Sequence, residues 1–309
     1  QPQPQAEGHD LLVKVEAVSV NPIDYKIRQQ INDPKAEPRV LGWDAAGIVE
    51  AVGESTSLFK IGDRVFYAGD ITRSGSNADY QLVDERIVGF MPSSLDFDAA
   101  AALPLTSITA WEALFDRLKI NPETDAGKRL LIIGAAGGVG SIAIQLAKKI
   151  AKLQVVATAS RAESRQWCLD MGADEVIDHP KTMPTDFVEA DYILCLNDTD
   201  AYFKVMTELV APQGMICSVV ATTENHDIDL LKMKSAGFVW ELMFTRSLFK
   251  TADMTQQHRL LNKVSTLIDA GEIRTTLTKN HGKLSAKNIA ELHAQLETGS
   301  SIGKFVLTN

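Results

Sequence analysis

The chain has 309 residues, 45% of them hydrophobic and 23% charged, with a net charge of −9, which is the make-up of a globular protein of about two domains. The acidic balance excludes nucleic acid as the main partner, because binding a phosphate backbone needs a basic surface. No apolar run reaches the ~18–20 residues that a membrane span needs. The three cysteines, Cys168, Cys195 and Cys217, are far apart and odd in number. They offer neither a disulfide framework nor a zinc knuckle and point to a reducing cytoplasm. The polar opening QPQPQAEGHD has no signal-peptide core and no initiator Met, so the natural start is expected upstream.

The first hundred residues read as β-rich. Residues 11–20 (LLVKVEAVSV) are valine-rich with partial alternation and predict a strand. Residues 47–52, 64–68, 80–83 and 87–90 predict further short strands, with turns at Gly53 and at Gly62-Asp63. Pro92 and Pro104 punctuate the end of this region. The rhythm then changes to strands at 130–133, 154–157, 176–177, 192–196 and 215–220, separated by helices. The first helix puts Val139, Ile142, Ala143, Leu146, Ala147 and Ile150 on one face. Others run over 163–171, stopped by Gly172, and over 201–211. This alternation predicts a doubly wound parallel sheet with helices on both faces. Residues 238–244 (FVWELMF) read as a strand, interior or edge, and as an edge it would invite association. Two helices follow, around Leu260–Ile268 and Ile289–Leu296, then a strand at 305–307 that returns to the first domain. The expected domains are 1–105 with 248–309, and 106–247.

The densest information lies in residues 130–149, LLIIGAAGGVGSIAIQLAKK. A strand enters a loop of small residues, and a helix leaves it. Such a loop turns tightly, lets a pyrophosphate approach the backbone and packs the helix against the sheet. The helix start adds free N–H groups and a positive dipole end. Ala135, Ala136, Gly137, Gly138, Val139 and Gly140 are therefore the expected dinucleotide-binding residues, in an AxGxxG variant of the usual GxGxxG. A plain strand–helix turn is the bland alternative. Sites for NAD carry an Asp or Glu about 20 residues past the loop, on the ribose 2′-hydroxyl. Here the stretch reads VVATASRAES, with Ser160 and Arg161 at that place and no carboxylate before Glu163. A hydroxyl and a guanidinium suit a 2′-phosphate, so NADPH is the expected cofactor. Arg161 also reads as a solvated surface arginine.

Together with AVSVNPIDYKIR (17–28), LGWDAAGIVEAVG (41–53), FKIGDRVFYAG (59–69), NADYQLVDE (77–85), LPLTSITAWEALF (103–115), MGADEVIDH (171–179) and GKFVL (303–307), the loop resembles the medium-chain dehydrogenase/reductase superfamily. Within it the chain is similar to the quinone oxidoreductase, zeta-crystallin-like branch, often labelled zinc-type alcohol dehydrogenase-like. The resemblance implies a Rossmann domain beside a β-rich GroES-like catalytic domain, and a homodimer. The opening β-hairpin of such proteins has no counterpart before Gln1. Where zinc-dependent relatives place their catalytic ligands, this chain holds Asn21, Trp43-Asp44 and, approximately, Leu105. Trp and Leu cannot ligate zinc and Asn is a poor ligand, and no four-cysteine loop exists. No metal site is expected, and stoichiometric zinc in a metal analysis would overturn this.

Without zinc, the carbonyl must be polarised by hydrogen bonds. The resemblance puts Asn21, Asp24, Tyr25 and Trp43 near the nicotinamide: Asn21 to donate to the substrate oxygen, Tyr25 to donate a hydrogen bond or proton, Trp43 to stack on a planar substrate. The same residues also read structurally, Asn21-Pro22 as a turn, Asp24 as a helix cap and Trp43 as core, and Asp44 reads as a structural hydrogen-bonding residue. Thr109 matches a family threonine beside the nicotinamide. Leu196-Asn197 and Ser218-Val219 follow strand ends, where open α/β sheets bind ligands. The six histidines show no metal spacing, and His179, between Asp178 and Pro180, reads as a turn. The readings that follow are a zinc-independent NADPH-dependent reductase of a quinone, enone or other small carbonyl; an NADPH-binding protein with little catalysis; and, third, a zinc alcohol dehydrogenase.

Overall fold

The computed structural model describes residues 2–31, 38–179 and 187–309. The chain divides into two compact units, Gln1–Ile108 with Met243–Asn309, and Thr109–Leu242. No helix among the described residues is long and apolar enough to cross a membrane. Pro180, the end of the turn read at His179, lies outside the described residues.

The first unit opens with β1 (Asp10–Ser19), whose residues alternate between core and surface over part of its length. Helix α1 (Pro22–Gln30) follows at once: Pro22 suits a helix start, and the Asp24 carboxylate accepts the Asn21 N–H. Strands β2 (Ala45–Val52), β3 (Arg64–Tyr67), β4 (Tyr80–Asp84) and β5 (Val88–Phe90) come next, then the short α2 (Phe97–Ala101) and α3 (Pro104–Trp111). Pro104 therefore begins a helix instead of only ending a strand region, since its fixed φ and missing N–H cost nothing at a first helical position.

The second unit continues with one π-helical turn, Glu112–Arg117. Then come β6 (Arg129–Ile133), α4 (Gly138–Lys149), β7 (Gln154–Thr158), α5 (Ala162–Asp170), β8 (Glu175–Ile177), β9 (Ala190–Cys195), α6 (Thr199–Leu209), β10 (Val210–Ser218) and β11 (Gly237–Trp240). All six strands pair in parallel, in the order β11-β10-β9-β6-β7-β8. Read from β8, this is the doubly wound Rossmann order, which reverses between β6 and β9. Leu131, Ile133, Ile193, Val205 and Ile216 fill the core beneath.

Two expected elements come out shorter. The helix expected over 201–211 ends at Leu209, because Ala211 precedes Pro212 and is pushed to extended backbone. The strand expected over 238–244 ends at Trp240, on the edge of its sheet. After Trp240 the buried Glu241 carboxylate turns to Arg117 and the chain leaves the sheet.

The first unit resumes with α7 (Thr245–Leu248), α8 (Gln256–Asp269), β12 (Leu277–Lys283), α9 (Ala286–Glu297) and β13 (Lys304–Thr308). Its sheet runs β12-β13-β1-β2-β3-β5, with β4 also paired to β1. Leu11, Val13 and Val15 of β1 pack with Leu292 and Phe305 from the returning segment in one core.

Candidate functional site

The glycine loop joins β6 to α4 at the place where the strand order reverses. Gly134 has φ +80°, a left-handed backbone that favours glycine. Its N–H donates to Thr158 Oγ1 at 3.0 Å, which ties the loop to the end of β7. A Cβ on Gly134 would lie 3.2 Å from Asn197 Cβ, so the loops after β6 and β9 face each other across the switch point. Gly140 admits no side chain: a Cβ there would sit 2.3 Å from the Ala135 carbonyl oxygen. Gly137 is the opposite case. It caps α4 in extended backbone, and a Cβ would meet only Gly134 O at 3.8 Å. Beside Gly137 there is open space, bordered by the first N–H groups of a twelve-residue helix, which have no partner inside the helix. Ala136, Gly137, Gly138 and Val139 are partly exposed, whereas Ala135 is buried. This is a cradle a phosphate fits.

At the end of β7, Ser160 and Arg161 are both exposed, and Arg161 caps α5. The neighbouring Arg165 is already committed to the Ala159 and Val176 carbonyls and to Asp178. Thr158 Oγ1 also bonds His179 Nδ1 at 2.9 Å, and burial holds that imidazole below its ordinary pKa. Leu196, whose N–H donates to Ile133 O, is half-buried past β9. Ser218 is fully buried, with its hydroxyl on Thr199 Oγ1 at 2.6 Å. Thr109 is buried at the start of the second unit.

The first unit contains a closed polar cluster. Asn21, Asp24, Asp44 and Lys304 are at most 4% exposed. The Asn21 amide donates to Asp44 Oδ2 at 2.9 Å and, more weakly, to the Ser19 and Trp43 carbonyls at 3.4 Å. Asp44 Oδ1 accepts the Leu105 N–H at 2.8 Å. Lys304 Nζ donates to Asp44 Oδ2, to Asn21 Oδ1 and to Val20 O. Burial pushes Asp44 up from the ordinary carboxylate range, and the Lys304 ammonium and the Asn21 amide oppose it. Burial raises Asp24 to about 7, with the Asn21 N–H and Lys304 opposing. Its Oδ1 has no hydrogen-bond partner and is the oxygen left to carry the proton. Trp43 is fully buried, its indole N–H on Asp70 O and its ring edge-on to Phe244. Of the three residues read as catalytic, Tyr25 alone is partly exposed. Burial, then Glu297, raise its phenol pKa.

A second buried cluster lies in the other unit. Arg117 bridges Glu241 at 2.8 Å and Glu112 at 3.6 Å, and both carboxylates are fully shielded. Burial and the Glu112 charge push Glu241 up to about 9 from an ordinary value of 4.5. The folded chain therefore holds a proton there that the unfolded chain releases. That stabilisation is fully present below pH 4.5 and is lost as pH rises through about 9, by at most ~1.4 kcal/mol per pH unit. Glu241→Gln should flatten this decline. Thermal melts from pH 6 to 9.5 should show wild type falling relative to the variant, and parallel curves would refute the shared proton.

Lys304, Thr158, Gly134 and the Glu112–Arg117–Glu241 cluster were missed as site residues in the sequence. A lysine inside an apolar strand was the available signal for the first. Cys195 and Cys217 are buried, as read, and burial raises both thiol pKa values.

Comparison with known proteins adds lineage. Residues 7–95 match the alcohol dehydrogenase GroES-like domain family, and residues 171–307 match the zinc-binding dehydrogenase family. The chain is 46% identical to a zinc-type alcohol dehydrogenase-like protein of Staphylococcus aureus, over 99% of this chain and 93% of the relative. It is 30% identical to a 2-methylene-furan-3-one reductase of Solanum lycopersicum, over 98% and 73%. A zinc-dependent alcohol dehydrogenase candidate from Rhizobium etli superposes with a TM-score of 0.93 at 48% identity, over 100% of this chain and 91% of the other. A mycobacterial structure complexed with NADPH superposes with a TM-score of 0.82 at 25% identity, over 100% and 94%.

The names carry zinc, but the donor set does not fit it. Among the described residues, no three His, Cys, Asp or Glu side chains gather as a metal-binding group. At the positions matching the ligands, the carboxylate of Asp44 is already taken by an ammonium, and a buried indole and a leucine offer no ligand atom.

Proposed function

Because the chain belongs to the medium-chain dehydrogenase/reductase superfamily and so is an oxidoreductase, we propose that it reduces an enone, quinone or other small conjugated carbonyl with NADPH and without zinc. The observation that carries the cofactor reading is the end of β7. Ser160 and Arg161 are exposed there, with no carboxylate beside them, next to a loop whose open face lies at Gly137. When bound, the cofactor supplies the hydride. The chain's own part is to hold it: the Gly137–Gly140 backbone for the pyrophosphate, and Ser160 and Arg161 for the 2′-phosphate. Leu196, at the strand-order reversal, lines the approach to the sheet edge. Thr109 and Ser218 are buried, and we assign them to shaping that region.

The substrate class rests on the tomato relative, named for reducing a methylene-furanone, which is a conjugated ketone. A 1,4-quinone is a doubly conjugated ketone and presents the same electrophile. Within the first unit, Asn21 and Trp43 are spent on internal contacts. Tyr25 keeps exposed surface, and we assign it the hydrogen bond to the substrate oxygen. Its raised pKa suits a donor that stays protonated. The buried, reduced thiols are in keeping with the cytoplasm as its compartment.

The test is NADPH oxidation with a 1,4-quinone and an α,β-unsaturated ketone, with NADH in parallel. Arg161→Ala should weaken NADPH by roughly 10- to 150-fold, the equivalent of one charge-assisted hydrogen bond, and leave NADH unchanged. Equal use of both cofactors by the wild type would end the NADPH reading. The burial of Asn21 and Trp43 favours a second reading, an NADPH-binding protein with little catalysis. Tight NADPH binding without turnover on either electrophile would select it.

A further inference from the structure

The residues at the zinc-ligand positions do converge, but on a different cation. An ammonium has three N–H donors. Those of Lys304 reach Val20 O at 2.9 Å, Asn21 Oδ1 at 2.5 Å and Asp44 Oδ2 at 3.0 Å. Trp43 joins through its carbonyl, which accepts from the Asn21 amide, and Leu105 through its N–H on Asp44. Each of Asn21, Trp43, Asp44 and Leu105 thus contributes an atom to one network around Lys304 Nζ. The ammonium has no donor left for a further ligand, and its side chain is 4% exposed against 0% for Asp44.

We propose that Lys304 is a built-in cation, a positioning residue that replaces a metal ion electrostatically. It neutralises Asp44 and holds the segments carrying Asn21, Trp43 and Leu105 in register with the last strand. It also closes the place to a divalent ion, which would have to sit within a few ångströms of a buried ammonium whose field is little screened. The ammonium moves no proton or hydride in this role. The inference deepens the zinc-free reading and rests on it. Its test uses melting and metal uptake, so it can fail or stand whether or not a quinone is reduced.

The probes are Co²⁺, followed by its visible absorption, and ethylammonium chloride, on purified full-length chain. Wild type should take up no stoichiometric Co²⁺, and EDTA should leave its melting midpoint unchanged. Lys304→Met keeps most of the stem and removes the charge. It should lower the midpoint by on the order of 10 °C, as expected for a buried carboxylate left without its partner. Lys304→Ala should fall similarly and regain part of the loss with ethylammonium, but not with equimolar ethanol or sodium chloride. Lys304→Met, with the space filled, should not respond. Packing alone would give equal rescue by ethanol, and that outcome overturns the proposal. So would one Co²⁺ per wild-type chain, or a Lys304→Met midpoint equal to wild type. Should Lys304→Met not fold, Asp44→Asn/Lys304→Met decides. Recovery of folded protein supports the ion pair, and continued failure assigns the loss to packing and overturns it.

Discussion

Gly140→Ala is expected to destabilise the free protein by about 1–3 kcal/mol, the usual cost of forcing extra volume into a filled space. Its new Cβ would lie 2.3 Å from the Ala135 carbonyl oxygen, so α4 or the loop must move. NADPH binding should then be lost with the loop geometry. Gly137→Ala makes the informative contrast. Its Cβ would meet only Gly134 O at 3.8 Å, and its backbone, φ −72° and ψ 177°, is open to any residue. The variant should melt like wild type yet bind NADPH at least tenfold more weakly, because the methyl occupies the space a phosphate would approach. Melting curves and fluorescence titration with NADPH separate the two. If Gly137→Ala binds NADPH as wild type does, the phosphate does not approach at Gly137 and the loop's role has to be redrawn.

Asp44→Ala should cost about 3–5 kcal/mol, the loss typical of breaking a buried ion pair from one side. It leaves Lys304 charged and almost fully enclosed, and it also strips the Leu105 N–H and the Asn21 amide of an acceptor. Because the three donors share one carboxylate, the effects of Asp44→Ala and Lys304→Met should not add. The double variant should be more stable than the sum of the single losses predicts. Urea unfolding of the four species measures the coupling. A single loss below about 1 kcal/mol for Asp44→Ala, in the range of an exposed pair, would mean that water reaches the cluster and relieves it.

How much of this was legible in the sequence depended on range. The Rossmann half was readable because its signals are local. Apolar runs such as Leu130–Ile133, the helical face from Val139 to Ile150 and the small residues between them lie within about two dozen positions. The short helices around Phe97 and Pro104 were not readable. Burial on most sides removes the polar face that would betray their period, and Ala100, Ala101 and Leu103 are all buried. The strand over 238–244 was read too long because its apolar run continues past Trp240, while the residue that ends it, Glu241, answers to an arginine 124 positions away. The polar cluster was hidden for the same reason. Asn21, Trp43 and Asp44 were picked out, but the ammonium that organises them stands 283 positions from Asn21 and inside a strand pattern. Periodicity reports which face of an element is wet, and it carries no information about which charges will share a dry interior.

The first unit is also broken in sequence, and this bears on the order in which the protein is made. Ala17, Val18 and Ser19 of β1 pair with Thr308, Leu307 and Val306 of β13, whereas Thr109–Leu242 forms a continuous unit. On the ribosome the second unit is complete while the first still lacks its closing strand. At 5–20 residues per second, β1 waits on the order of ten seconds or more for that partner. During the wait one stretch of its backbone is an open edge, and Asp44 is without the ammonium that neutralises it. The nascent chain therefore presents a half-built sheet beside a finished one, and the interval before β13 emerges is when a chaperone has most to shield.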